Sequence, residues 1–174
     1  MVLRDPGSVS YVEAAVTAGV RAYAWCDMLR FFEMVAVLAA ALFAGAALYI
    51  NVAEHPARLT LEMRAAAAQW APSYKRATWM QAPLALIGLV SSAAAWFMGG
   101  GIGWLVGAAL IGAVVAFTVF GIMPTNHRLL DPARDRGTGD DTRGLLERWG
   151  RLHAVRTGLS LIATALFVWM LGRS

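Results

Sequence analysis

Residues 77–127 read ATWMQAPLALIGLVSSAAAWFMGGGIGWLVGAALIGAVVAFTVFGIMPTNH and hold no Asp, Glu, Lys or Arg. One bilayer crossing needs about 20 apolar residues, so this run is long enough for two. Gly99, Gly100, Gly101 and Gly103 mark a short turn between them, which makes the two helices antiparallel neighbours. A second charge-free run, residues 35–53, extends about 28 Å as a helix and supplies another crossing. The fourth apolar stretch, 157–172, is shorter. Leu145, Leu146, Trp149 and Leu152 precede it at helical spacing, so the last helix begins amphipathic and turns apolar.

These runs predict an all-α membrane protein: an antiparallel four-helix transmembrane bundle with a short interfacial helix between spans 1 and 2. The spans are expected at about 29–55, 77–98, 104–123 and 152–172. They form one domain, 27–174. Pro56 and Pro124 are expected to kink or end their helices. Residues 56–74 give the interfacial helix, broken at Pro72-Ser73. The hydrophilic loop 131–144 leads to a last helix capped by Asp141 or Thr142. Residues 1–26 read as an amino-terminal tail, disordered or a surface helix, dispensable if translation starts at Met28 or Met34. Small residues at spacing four, Ala36, Ala40 and Ala44 and also Ala41 and Gly45, suit close helix packing in lipid, as do Gly107, Gly112 and Gly121.

Composition supports the same class. The chain is 59% hydrophobic and 15% charged, against about 45–50% and about 25% in soluble domains. The net charge of +4 comes from residues flanking apolar segments, where they suit phospholipid head groups; it is no nucleic-acid signal. The single cysteine, Cys26, excludes an internal disulfide and a cysteine metal cluster. Residues 54–76 and 124–156 hold eleven of the fifteen Lys and Arg. The positive-inside bias makes those connections cytoplasmic in a multi-pass protein of the inner (plasma) membrane. The partners expected are membrane lipids, a hydrophobic small molecule and a second copy of the chain.

Chemistry-bearing residues gather at the charged end. Asn51, Glu54, His55 and Arg58 share one helical face. Trp149, His153 and Arg156 share another, and Trp79 and Asn126 lie at the same level. Three uses compete. Glu54, His55 and His153 are the set from which a metal would draw ligands. A haem needs an axial histidine within a span, which His55 or His153 supplies at the boundary. A general acid/base site needs only an imidazole oriented by an amide or carboxylate: His55 with Glu54 or Asn51, or His153 with Asn126. The non-catalytic alternative is a lipid-binding module or accessory subunit in which the same residues lock four helix ends together. No cofactor is required by the residues, and neither metal nor haem is ruled out by them.

Five segments in order, Glu54-His55-Pro56-Ala57-Arg58, Trp70-x-Pro72-Ser73-Tyr74-Lys75-Arg76, Met80-Gln81-Ala82-Pro83, Met123-Pro124-Thr125-Asn126 and the stretch from Leu146 to Arg156, resemble a family of small bacterial and fungal membrane proteins. That family includes anthrone oxygenases. The resemblance covers about residues 33–172 and implies a four-helix membrane protein. For its fungal members it implies oxidation of an anthrone to an anthraquinone by molecular oxygen, with no recognised metal or flavin. The polar positions matched are Asn51, His55, Asn126, Trp149, His153 and Arg156. In such a reaction His55 or His153 would remove the proton from a carbon acidified by the carbonyl, and Arg156 or Arg58 would hold the enolate. Asn51, Arg58, Trp79, Asn126, Trp149 and Arg156 would line the substrate site.

Overall fold

The computed structural model describes residues 6–131 and 139–173. Helix α1 runs Pro6–Tyr49, passes through a π turn at Ile50–Glu54 and continues as α2, His55–Leu59. Helix α3 is Met63–Phe97; α4 is Ile102–Phe117, followed by a second π turn at Thr118–Ile122 and by α5, Met123–Leu130; α6 is Gly139–Leu171. Four helical stretches, Val16–Leu59, Met63–Phe97, Ile102–Leu130 and Asp141–Leu171, are long and apolar enough to cross a membrane. No sheet forms among the described residues. Helices α1 and α4 each lie between α3 and α6, so the four long helices make a square with the chain's neighbours side by side.

Two short turns force the antiparallel order. Thr60–Glu62 separates α2 from α3, and the Glu62 carboxylate caps α3 by accepting from the Arg64 and Ala65 amides at 3.1 and 3.3 Å. Met98–Gly101 joins α3 to α4. Gly99 and Gly101 take φ of 96° and 93° there, a conformation that side chains disfavour.

Both prolines expected to kink or end their helices distort them locally without ending them. A proline lacks the N–H and its ring crowds the carbonyl four residues back. For Pro56 and Pro124 those carbonyls belong to Val52 and Phe120, each inside a π turn. The wider turn shifts the bonding to five residues: His55 N–H donates to the Ile50 carbonyl and Met123 N–H to the Thr118 carbonyl. Each helix thus runs on, carrying His55 and Arg58 or Asn126 further round the bundle axis.

The separate interfacial helix expected over residues 56–74 does not form. Pro56 sits in α2, and residues 63–74 are the first third of α3. Pro72 costs one helical hydrogen bond, but Ala66 and Trp70 are buried at 0% and 1% exposure. Keeping α3 intact preserves that burial. Helix α6 begins at Gly139, ahead of the expected cap at Asp141 or Thr142; residues 132–138 of the expected loop lie outside the described residues, as do 1–5 of the amino-terminal segment.

Packing away from the histidines uses small residues, as lipid-embedded helices do. Ala36, Ala40 and Ala44 are buried, and Ala39 and Ala40 approach Gly88 of α3. Ala41 and Gly45, the other small pair, face outward. Trp104 stacks on Phe167 with centroids 5.2 Å apart, and Gly107 gives Phe167 its place: a methyl at 107 would overlap the Phe167 ring. Gly107→Val is therefore expected to lower stability by about 1–3 kcal/mol or more through overpacking, read as a lower midpoint of heat-induced helix loss in detergent. Gly45→Val, at a position where an added Cβ meets nothing within 4 Å, should leave the midpoint nearly unmoved.

Candidate functional site

The charged end carries a second apolar cluster, built on Ile50, Ala66, Trp70, Ile122, Leu146 and Trp149. Between it and the Trp104–Phe167 core lies a layer of polar side chains. Residues from both π turns enter it. Ile50 and Ile122 line one cavity with Asn126, Trp149, His153 and Arg156.

The first half of the layer is closed on itself. Arg58, 3% exposed, donates to Glu54 and to Gln69, and Ser73 donates to Glu54. These bonds tie α2 to α3. His55, 7% exposed, turns Nδ1 toward the Arg58 guanidinium at 3.4 Å. A guanidinium only donates, so Nδ1 accepts and Nε2 carries the hydrogen. That Nε2 faces the α6 backbone at Gly150, with the Leu146 carbonyl beyond strict hydrogen-bond geometry.

The second half is open. Asn51 projects from the π turn to α6. The Gly150 carbonyl only accepts, so the Asn51 amide nitrogen faces it at 3.4 Å. The amide oxygen then faces the Thr157 hydroxyl at 2.8 Å and His153 Nδ1 at 2.5 Å. His153 Nδ1 is thereby the protonated nitrogen, and Nε2 keeps the lone pair. His153 is 2% exposed and lines the cavity. One turn on, Arg156 donates to Gln81 of α3, with its guanidinium carbon 4.7 Å from the Phe43 ring centroid. Gln81 Nε2, Arg156 Nε and Asn126 Oδ1 are buried and make no hydrogen bond.

Trp149 stands between the halves. Its ring is 5.2 Å from His55 and 4.8 Å from His153, centroid to centroid, and edge-on to Trp70 at 5.8 Å. Trp70 in turn stacks on Tyr74 at 5.0 Å.

The structure thus brings together Asn51, His55, Arg58, Asn126, Trp149, His153 and Arg156. Trp79 does not join them: it is 84% exposed on the outer face of α3, two residues before the inward Gln81. The pairing of His153 is with Asn51 rather than Asn126, because the π turn rotates Asn51 toward α6. Glu54, His55 and His153 do not converge as a ligand set, Glu54 being turned to Arg58 and Ser73. Among the described residues no three His, Cys, Asp or Glu side chains meet as a metal group.

A family model described as anthrone oxygenase matches residues 70–166, more than half of the chain. The chain belongs to the anthrone oxygenase family. The match to that family includes Trp70, Gln81, Asn126, Trp149, His153 and Arg156, and ends short of Asn51, His55 and Arg58 on α1 and α2. It is narrower at both ends than the resemblance read from the sequence motifs. No curated protein and no solved structure matches the chain.

In this anthrone oxygenase family member the layer also holds Gln81, Ser73 and Tyr74, which the motifs contain without marking them as site residues, and Thr157. Gln81 had a signal: an amide inside a charge-free span is costly unless it serves a pocket or a partner.

Proposed function

We propose that the protein is a cofactor-independent oxygenase of anthrone-like, polycyclic phenolic ketones. It acts at the cytoplasmic boundary of the membrane, with His153 as the base. The observation that carries this reading is the anchored imidazole: Asn51 holds Nδ1–H at 2.5 Å while the ring lines a cavity shared with Arg156 and Asn126. A base oriented by an amide and beside a fixed cation is what proton abstraction next to a delocalised carbonyl needs.

The chemistry balances with oxygen alone. His153 Nε2 removes a proton from the methylene that the ring carbonyl acidifies. Arg156 stabilises the enolate oxygen. The enolate carbon delivers electrons to O2, forming a C–O bond, and the His153 proton completes a hydroperoxide. His153 then takes the second proton from the same carbon as the O–O bond breaks. The carbon becomes a carbonyl, and the departing hydroxide leaves as water. One O2 is consumed for each quinone. Asn126 Oδ1 is a ready acceptor for a phenolic hydroxyl.

The lock reading has its own support in the closed half of the layer. Glu54, Arg58, Gln69 and Ser73 satisfy one another and hold α2 against α3. We assign structure to that half and chemistry to the open one, His55 serving as a packed support. The surrounding lipid supplies an apolar substrate, and the charge bias sets the site on the cytoplasmic side.

Protein reconstituted in lipid nanodiscs with 1,8-dihydroxyanthrone should take up oxygen in step with quinone formation, above the spontaneous rate. Absence of any enhancement removes the proposal. Asn51 is a positioning residue here. Asn51→Leu removes a hydrogen bond worth about 1 kcal/mol, so kcat should fall about fivefold to tenfold with KM nearly constant; a change in KM alone would place Asn51 in binding instead.

A further inference from the structure

The cavity beside His153 encloses about 20 Å3, room for about one water molecule. A three-ring ketone does not fit there. A second cavity of about 240 Å3 adjoins it, lying between α3 and α4, and shares Tyr74, Thr78, Gln81 and Arg156 with the first. That volume is near the lower end of small-molecule sites, about 300 Å3.

Its walls and floor differ in kind. Phe43, Ala85, Val114 and Val115 make the walls, and Leu86 and Val119, 56% and 47% exposed, stand at its rim. These rim positions belong to the charge-free runs, so the mouth faces lipid. The floor is polar. Gln81, 2% exposed, leaves Nε2 unpaired, and Arg156 leaves Nε unpaired. Two buried donors without acceptors, on residues that line an apolar slot, cost stability unless a turn of their side chains brings them to a ligand oxygen.

We infer that the ligand enters sideways from the bilayer between α3 and α4. Its fused rings lie along Phe43 and Val114, and one ring oxygen is taken by Gln81 Nε2 and Arg156 Nε. This rests on the oxygenase reading for the identity of the ligand, and adds to it the route, the binding slot and Gln81 as the residue that selects an oxygen-bearing ring. The floor residues are common to both cavities, so the slot adjoins the cavity that His153 lines. The small enclosed space beyond them remains for O2.

The test uses 1,8-dihydroxyanthraquinone, a stable product-like probe, binding to the full chain in nanodiscs by quenching of tryptophan fluorescence. Ala82→Trp sets a large ring at the mouth, on an exposed position of α3, and Gln81→Leu removes one donor. Each should weaken binding at least tenfold. Val106→Trp, also exposed but away from the slot, should bind as the parent does. Binding unchanged in Ala82→Trp and Gln81→Leu overturns the inference, as does tighter binding of oleate than of the quinone. His153→Ala separates the two claims. Lost turnover with unchanged binding in the Ala82 and Gln81 variants leaves the oxygenase and removes the slot. Weakened binding in those variants with full turnover in His153→Ala keeps the slot and removes the proposed base.

Discussion

Replacing His153 with alanine is expected to cut quinone formation by about 100-fold to 10,000-fold, the usual worth of a positioned general base. The two histidines differ in what their nitrogens do, and this makes the prediction asymmetric. His153 spends Nδ1–H on Asn51 and keeps Nε2 free to accept. His55 spends its accepting nitrogen on Arg58, and its other nitrogen faces the backbone of α6. A base needs an available lone pair at the substrate, which only His153 offers. His55→Ala should therefore reduce the rate far less than His153→Ala, through lost packing against Trp149. Initial rates of absorbance change at the quinone band, corrected for spontaneous oxidation, measure both. Added imidazole should recover part of the His153→Ala loss, since the cavity left by the ring opens beside Arg156. Equal losses in the two variants, or a His153→Ala rate within threefold of the parent, would show that the proton is taken elsewhere.

The membrane architecture was readable because hydrophobicity over 20 residues is a local property: the charge-free runs at 35–53 and 77–127 alone require three crossings. The gathering of His55 and His153 at one end was readable for a similar reason, since antiparallel packing places the end of the first span beside the start of the fourth. What resisted reading was rotation about each helix axis. A proline after an apolar run signals a helix end or a π turn equally well, and here two π turns re-aimed Asn51 and Asn126. That single angular shift decides whether His153 meets Asn51 or Asn126. Trp79 faces away from the gathered residues for the same cause. Depth put it level with the site, while Gln81, two positions along and a little over half a helical turn round, faces inward in its place. Gln81 itself carried a signal that charge counting overlooks, because amides contribute nothing to a charge tally yet still cost free energy to bury unpaired.

Three glycines of α6 turn this geometry into a sharper test, and Gly150→Ala should be the damaging one. In a helix interior Gly→Ala ordinarily adds about 0.8–1 kcal/mol. Methyls at Gly144 and Gly158 meet nothing within 4 Å, so Gly144→Ala is expected to stabilise by roughly that amount. A methyl at Gly150 runs into the His55 imidazole, overlapping Nε2 and lying 2.7 Å from Cδ2. That ring has nowhere to go. It is packed on Trp149 at 5.2 Å, it faces Arg58, and Pro56 stiffens the backbone immediately after it. Relief requires α2 to part from α6, and that movement also pulls Asn51 from the Gly150 carbonyl and so from His153. Overpacking of about 1–3 kcal/mol should outweigh the propensity gain. Gly150→Ala should then lose both thermal stability in detergent and turnover, while Gly144→Ala gains the first and keeps the second. The double variant Gly150→Ala with His55→Ala removes the obstacle, and its stability should exceed the sum of the two single changes by about 1 kcal/mol or more, the coupling expected of residues in contact. Gly150→Ala matching Gly144→Ala in both measurements would mean that α2 does not press on α6 there, and the support given to His153 through Asn51 would lose its foundation.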